Sequence, residues 1–353
     1  MNKPLVSVFI PAYNNPIYSK KTLQSIVEQD YRPIEVLFLD DCSPTSLEPM
    51  VEEFRKYEND KLRLSFFRHS KNLCADNFTF GFDHCTGKYV VNMPHDDWWT
   101  DKHFLSETVD LMEQNPECYF CVANSLVENT NNVTVIHLPL SMKNRDTWKI
   151  LPGDVYINML GPDCIGYPAW SGIVLNLPMA RSMGAFHYPF TLSMEEAKVF
   201  GEVAMDSFAF HFLLSSIGSV AITEKVIGVR GQPETAICNV NVKQRKKFMG
   251  LTAFVNNYNI YKAGLNGKHA QAVKQRAWKI IPHYPVNKIN LKVLKRYNYA
   301  IDACYLMLCC YLAGIIYNCF HSFHFNIKKR ILRVIRDKEI LHLISKWYKT
   351  RRV

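Results

Sequence analysis

Two pairs of adjacent aspartates, Asp40-Asp41 and Asp96-Asp97, are the residues of this chain best suited to chemistry. Each pair follows a β-branched apolar run, so each stands where a strand ends and a loop begins. Carboxylates on such a support offer the hard oxygen ligands that hold Mg²⁺ or Mn²⁺. A cation held there can bridge phosphate oxygens and neutralise the charge that grows on a departing diphosphate. Such a displacement also needs a carboxylate base that takes the proton of the attacking hydroxyl. Each pair has a plainer reading as well: Asp40-Asp41 could cap the helix that follows, and Asp96-Asp97 the helix near 101–114.

The elements that would position these groups can be read from periodicity. Apolar runs at 5–10, 34–39, 62–68 and 88–93 read as buried strands. Helical spacing separates them at 17–29, about 46–57 and about 75–84. A further helix is expected at 103–115 and a strand at 118–126. From about 127 to 170 the pattern is loop-rich, then helical spacing returns over 195–217, followed by a strand at 219–229. Strand and helix alternating at this spacing predict an α/β fold, a mainly parallel Rossmann-like sheet with helices on both faces. Ligands of such sheets bind beyond the carboxyl ends of the strands. Ala12-Tyr13-Asn14, Asp40-Asp41 and Asp96-Asp97 all fall at that edge.

Several of these stretches resemble family-2 glycosyltransferases. The resemblance is carried by Val6–Tyr13 with Asn14, by Thr22-Leu23-Gln24-Ser25-Ile26 and by Glu35–Ser43. It continues through Asn72, Asn77, Gly81 and Gly87-Lys88-Tyr89-Val90 into His95-Asp96-Asp97-Trp98. It covers the first 125 or so residues well and extends more loosely to about 235. The resemblance implies a GT-A fold, inverting transfer from a nucleotide-sugar, and dependence on Mg²⁺ or Mn²⁺. Pro11, Ala12 and Tyr13 would line the nucleotide, and Asp40 or Asp41 would hydrogen-bond the base, typically uracil. Asp97 would ligate the metal, with Asp96 on the ribose, donor sugar or metal. Asp206 would be the base, and Arg230 would face the diphosphate. The chain departs from the family pattern at Pro94, where a carboxylate is usual, at Cys74, where glycine is common, and at Met205, which replaces an acid.

Some residues carry two readings from the outset. Trp98, Trp99, Tyr167 and Trp170 could stack on acceptor sugars or could pack the core. Asp206 could lie on a solvated helix face, with Glu202 one turn away. His95 and His103 read as hydrogen-bonded loop histidines. Cys118 and Cys121 lie in a strand-like run, where side chains three apart point to opposite faces, so metal or redox chemistry is not expected of them.

Charge divides the chain in two. Residues 1–234 hold 19 Lys and Arg against 29 Asp and Glu, whereas residues 235–353 hold 23 against 3. The predicted organisation follows that line: a catalytic domain at 1–235, with a nucleotide-binding half at 1–100 and an acceptor half at 101–235, then a basic, mostly helical region at 236–353. Within that region 297–320 is strongly apolar, but its uninterrupted run, 303–317, is shorter than the ~20 residues a spanning helix needs. From Lys328 a basic amphipathic stretch continues to Trp347, a pattern suited to an anionic membrane surface. No nucleic-acid-binding module is recognisable. The 11 cysteines sit mostly in apolar runs, and the apolar run before Pro11 is too short for a signal-peptide core. The chain is therefore expected in the cytoplasm, peripheral on the inner face of the membrane. Its expected partners are a nucleotide-sugar donor and a lipid-linked saccharide of bacterial surface polysaccharide (O-antigen or capsule) assembly, and the alternative is a non-catalytic nucleotide- or glycan-binding scaffold.

Overall fold

The computed structural model describes residues 3–129, 133–135, 147–160, 168–187, 209–232, 257 and 259–280. In chain order the strands and helices are β1 (Val6–Ala12), α1 (Pro16–Val27), β2 (Ile34–Asp40), α2 (Glu48–Glu52), β3 (Leu62–Arg68), α3 (Ala75–His84), β4 (Tyr89–Asn92), β5 (Asp97–Trp99) and α4 (Phe104–Gln114). They continue with β6 (Cys118–Asn129), β7 (Val133–Val135), β8 (Lys149–Pro152), α5 (Gly153–Met159), β9 (Ile173–Asn176), α6 (Leu177–Ser182), α7 (Ala209–Ile217), β10 (Ser219–Gln232) and α8 (Ala270–Ile280).

The ten described strands form one sheet in the order β3-β2-β1-β4-β9-β6-β10-β5, with β7 on β6 and β8 on β10. Six of them, β1 to β4 with β6 and β10, run in the same direction, so the sheet is mostly parallel as expected. Its central strands are buried on both faces. Val6, Val8 and Ile10 of β1 enter one core with Val36 and Phe38 of β2, while Phe9 and Leu37 enter the other. This alternation is why both faces need helices. On one face α3 sets Phe78 and Phe82 against Phe9, with ring centroids 5.6 and 4.8 Å apart. On the other, α1 buries Leu23 and Ile26, and α4 buries Phe104, Leu105, Val109 and Met112.

After β3 the chain crosses to the far side of β1 and lays down β4. The strand order reverses there, so the ends of β1 and β4 border the crevice where such sheets bind ligands. The registers align Ala12, Asp40 and Arg68 in one row across β1, β2 and β3 at that edge.

Three expectations change. The helix expected over 46–57 is shorter, Glu48–Glu52 followed by a 3₁₀ turn at Arg55–Tyr57. The interruption is local: Phe54 N–H donates to Val51 O, and Arg55 and Glu58 turn to the backbone of Leu64 in β3. The stretch read as loop-rich contains β8 and α5, because β8 has a partner in β10 about 70 residues later. Cys118 and Cys121 share a face. Cys118 pairs with Ser219 and Phe120 with Val220, so Tyr119 is an extra residue that resets the alternation and sends both cysteines into one core. Among the described residues no helix is long and apolar enough to cross a membrane. The segments 297–320 and 328–347 lie outside the described residues.

Candidate active site

Asp96 and Asp97 follow β4 and open β5, a three-residue strand rather than a free loop. β5 pairs antiparallel with β10, which puts Arg230 opposite Asp97. Gly231 N–H donates to Asp96 O at 2.9 Å. A Cβ on Gly231 would stand 2.2 Å from that same oxygen, so only glycine permits the approach. On the other side Thr22 of α1 reaches the turn. Its hydroxyl lies 2.6 Å from Asp97 O and 2.9 Å from His95 O, and His95 Nδ1 donates to Pro11 O at 3.2 Å. Strand β10, helix α1 and the end of β1 therefore fix the acidic pair from three sides.

The two aspartates differ in exposure. Asp97 is 2% exposed, and its Oδ2 accepts a 2.7 Å hydrogen bond from Ser171 Oγ. Ser171 is itself held, since its carbonyl accepts the Trp99 indole N–H at 2.7 Å. Burial, then the neighbouring Asp96 charge, push the Asp97 carboxyl well above the usual carboxylate range, against the pull of Ser171, Arg230 and Gly231 N–H. Asp96 is only half-buried. This donor set fits a divalent cation: it is all oxygen, and a cation would offset the burial and the Asp96 charge that raise the Asp97 carboxyl.

Asp40 and Asp41 divide their roles. Asp40 is fully buried, and its carboxylate accepts from Ser43 N at 2.9 Å and Leu47 N at 3.2 Å, with Arg68 Nη1 at 3.4 Å. It ties the loop that leads into α2 but does not cap the helix, whose N-cap, Leu47, has no side-chain cap hydrogen bond. Asp41 accepts from Leu73 N at 2.6 Å and Cys74 N at 2.8 Å, and burial pushes its carboxyl up. It holds the loop before α3, where Cys74 adopts φ 47°. Asp41 N–H in turn donates to Ala12 O at 2.8 Å.

Pro11 is half-buried and Ala12 buried, and Tyr13 projects with 45% of its surface exposed. Trp98 is half-buried beside Tyr18, with the Lys21 ammonium 4.8 Å from its ring centroid. Trp99 and Trp170, expected as possible acceptor platforms, are core residues instead. Trp99 packs on Phe104, and Trp170 is 6% exposed between Phe78 and Phe210, which leaves neither ring face to a sugar. Asp206, Glu202 and Tyr167 lie outside the described residues. Sequence reasoning missed Ser171 as a partner of Asp97, because 74 residues separate them and nothing local marks it. Thr22 stood within the resembling motif, but its role shows only in the fold.

The paired acids thus lie at the reversal point of a mostly parallel α/β sheet, where ligands of such sheets bind. Residues 7–164 match the family model for glycosyl transferase family 2. Among its relatives is the glycosyltransferase TuaG of Bacillus subtilis, named for teichuronic acid biosynthesis. It is 25% identical over 149 residues, 42% of this chain and 58% of TuaG. A GalNAc(5)-diNAcBac-PP-undecaprenol beta-1,3-glucosyltransferase of Campylobacter jejuni is 27% identical over 37% of this chain and 41% of its own length. An uncharacterised Rickettsia bellii glycosyltransferase is 34% identical over 27% of this chain and 13% of its own length. The chain thus spans less than two thirds of each of these relatives. The crystal structure of S. aureus TarS residues 1–349 with UDP-GlcNAc superposes with a TM-score of 0.57. It covers 86% of this chain and 81% of that one at 16% identity, a likeness of fold.

Proposed function

We propose that this chain is an inverting glycosyltransferase that moves a sugar from a nucleotide-diphosphate donor, a UDP-sugar, to a lipid-linked saccharide. The observation that carries the reading is the acidic pair Asp96-Asp97, braced beside Arg230 at the reversal point of a family-2 domain. The donor class is supported by TarS, which shares the fold and was crystallised with UDP and with UDP-GlcNAc. The lipid-linked acceptor is supported by the Campylobacter relative, whose name specifies an undecaprenol-diphosphate acceptor, and by the basic C-terminal third. A role in O-antigen or capsule assembly is part of this proposal, supported by the family-2 match and the basic C-terminal third.

Each residue then has a task. Tyr13 and Pro11 border the nucleotide, and Asp41, the less buried of its pair, accepts from the base. Asp96 and Asp97 hold Mg²⁺ or Mn²⁺, with half-buried Asp96 as the accessible ligand and Asp97 behind it on Ser171. A cation held by these carboxylates would supply positive charge for the departing diphosphate. Arg230 adds a fixed positive charge on the same edge. Asp206 takes the acceptor's proton, and Trp98 offers the acceptor a ring.

A donor screen with radiolabelled nucleotide-sugars, full-length protein and a membrane lipid extract tests this. Asp96→Ala and Asp97→Ala should each lower transfer by about 100-fold or more, and Asp206→Asn comparably. Undiminished transfer by the first two would sink the site. UDP binding that needs Mn²⁺, with no turnover of any donor, would favour a non-catalytic scaffold.

A further inference from the structure

Cys118 and Cys121 lie at the start of β6, and the Cys121 thiol donates a hydrogen bond to the Cys118 sulfur. Redox chemistry is not expected of two cysteines three apart in a regular strand. Their side chains would point to opposite faces, and about 10 Å would separate their Cα atoms. A disulfide usually spans no more than ~6.8 Å. The extra residue Tyr119 removes both obstacles. It turns the two side chains into one core, and it sets Cys118 opposite Ser219 and Cys121 opposite Ala221. Those partners are two residues apart on β10, a spacing of about 6.7 Å. The cysteines therefore stand within reach of a disulfide with no change of register.

Both are free thiols, and they differ in their surroundings. Cys118 is the first residue of β6 and directly follows exposed Pro116 and Glu117. The hydrogen bond from Cys121 holds its thiol below the ordinary value, against the effect of burial. Cys121 lies deeper, fully buried, with Thr108 O 3.9 Å from its sulfur. Burial, then its neighbour, push that thiol well above the ordinary value. A sulfur inclined to ionise near the surface, with a protonated one behind it, is the division of labour between a nucleophilic and a resolving cysteine.

We propose that Cys118 and Cys121 form an oxidisable dithiol that reacts with a hydroperoxide and closes to a disulfide within β6. The Cys118 thiolate attacks one peroxide oxygen, so an S–O bond forms, the O–O bond breaks and the departing hydroxide is protonated to water. The Cys121 sulfur then attacks the Cys118 sulfur. The S–S bond forms, the S–O bond breaks, and the hydroxyl leaves as a second water with the Cys121 proton. The two thiols lose two electrons, and one hydrogen peroxide is reduced to two waters. The closed bond ties the ends of the bulge and pins the register of β10, the strand that carries Arg230 and Gly231. None of this rests on the transfer reaction, so it is tested whether or not the chain turns over a donor.

The experiment is peptide mass spectrometry, because both cysteines lie in the tryptic peptide 103–143, which holds no other. The folded full-length protein is treated with hydrogen peroxide, then unfolded, alkylated with iodoacetamide and digested. In most molecules this peptide should carry no alkyl group and be lighter than the unalkylated dithiol by two hydrogens. Dithiothreitol before alkylation should restore both sites. Cys121→Ala should leave Cys118 as a sulfenic acid that dimedone labels, and Cys118→Ala should leave Cys121 unlabelled. Melting curves establish that each variant is folded, and the wild-type masses decide the matter without them. Two alkylated thiols after peroxide treatment overturn the proposal. So does a sulfinic or sulfonic acid at Cys118 in place of the bond, or a bond from Cys118 to a cysteine of another peptide. Closure in urea but never in the folded protein overturns it too.

Discussion

Two residues at the carboxyl-end edge of the sheet are held at a cost in free energy. Cys74 has φ 47° and ψ −110°, backbone that suits glycine, and it is held there as Asp41 and Asn72 accept its N–H. Cys74→Gly should stabilise the protein by about 1 kcal/mol or more in chemical denaturation; an unchanged midpoint would show that the loop carries no strain. Asp97 is the second. Its folded carboxyl lies above the ordinary value of 3.8, so the folded state binds a proton more tightly than the unfolded chain does. In chelator, this group's stabilising effect is greatest in acid and is lost as pH rises through the window above 3.8. Asp97→Asn removes that loss. An asparagine oxygen can still accept from Gly231 while the Ser171 hydroxyl turns to accept from the amide. The variant should melt close to wild type near pH 4 and above it at pH 7, without transfer activity. A lower melting temperature than wild type at pH 7 would count against the buried-charge account. The aspartates themselves were legible in the sequence because they end apolar runs. That Asp97 is buried and Asp96 only half so was not, since that depends on Ser171 and Gly231, both distant in sequence from the acids they meet.

At the scale of elements, the acidic pair depends on β5, and β5 depends on two glycines of β10. A Cβ at Gly228 would stand 2.5 Å from Trp98 O, and one at Gly231 would stand 2.2 Å from Asp96 O. Backbone oxygens inside a ladder cannot step aside as a flexible side chain can. Gly231→Ala should therefore cost about 1–3 kcal/mol and lower transfer by shifting Asp96, with urea titration and the donor assay as the readouts. Wild-type activity in this variant would mean that β5 can part from β10 without harm. Strands buried on both faces, β1, β2 and β4, were read correctly because their runs are apolar throughout. β5, β7 and β8 were not, since three or four residues carry no period and gain strand geometry only from a partner. The bulge at Tyr119 was hidden for the same reason: alternation within Cys118–Cys121 is set by β10, not by the run itself.

For the molecule as a whole, the division of charge makes a separate prediction. The 23 basic residues against 3 acidic ones beyond 234 should draw the protein to anionic vesicles. Co-sedimentation should fall steeply between low and high salt, because exposed charges are screened, and equal binding to neutral vesicles would contradict the electrostatic origin. The α/β architecture and the parallel core were legible from the alternation of runs. The pairing of β5 with β10 also sets an order of events during synthesis. Asp97 leaves the ribosome more than 130 residues before Arg230, its partner across the ladder. Until that second strand is made, the acids have no Gly231 N–H to hold them and no neighbouring guanidinium. A nascent chain stopped short of 230 can close β1, β2 and β3 but cannot assemble the site, so competence should arrive late and in a single step as β10 docks.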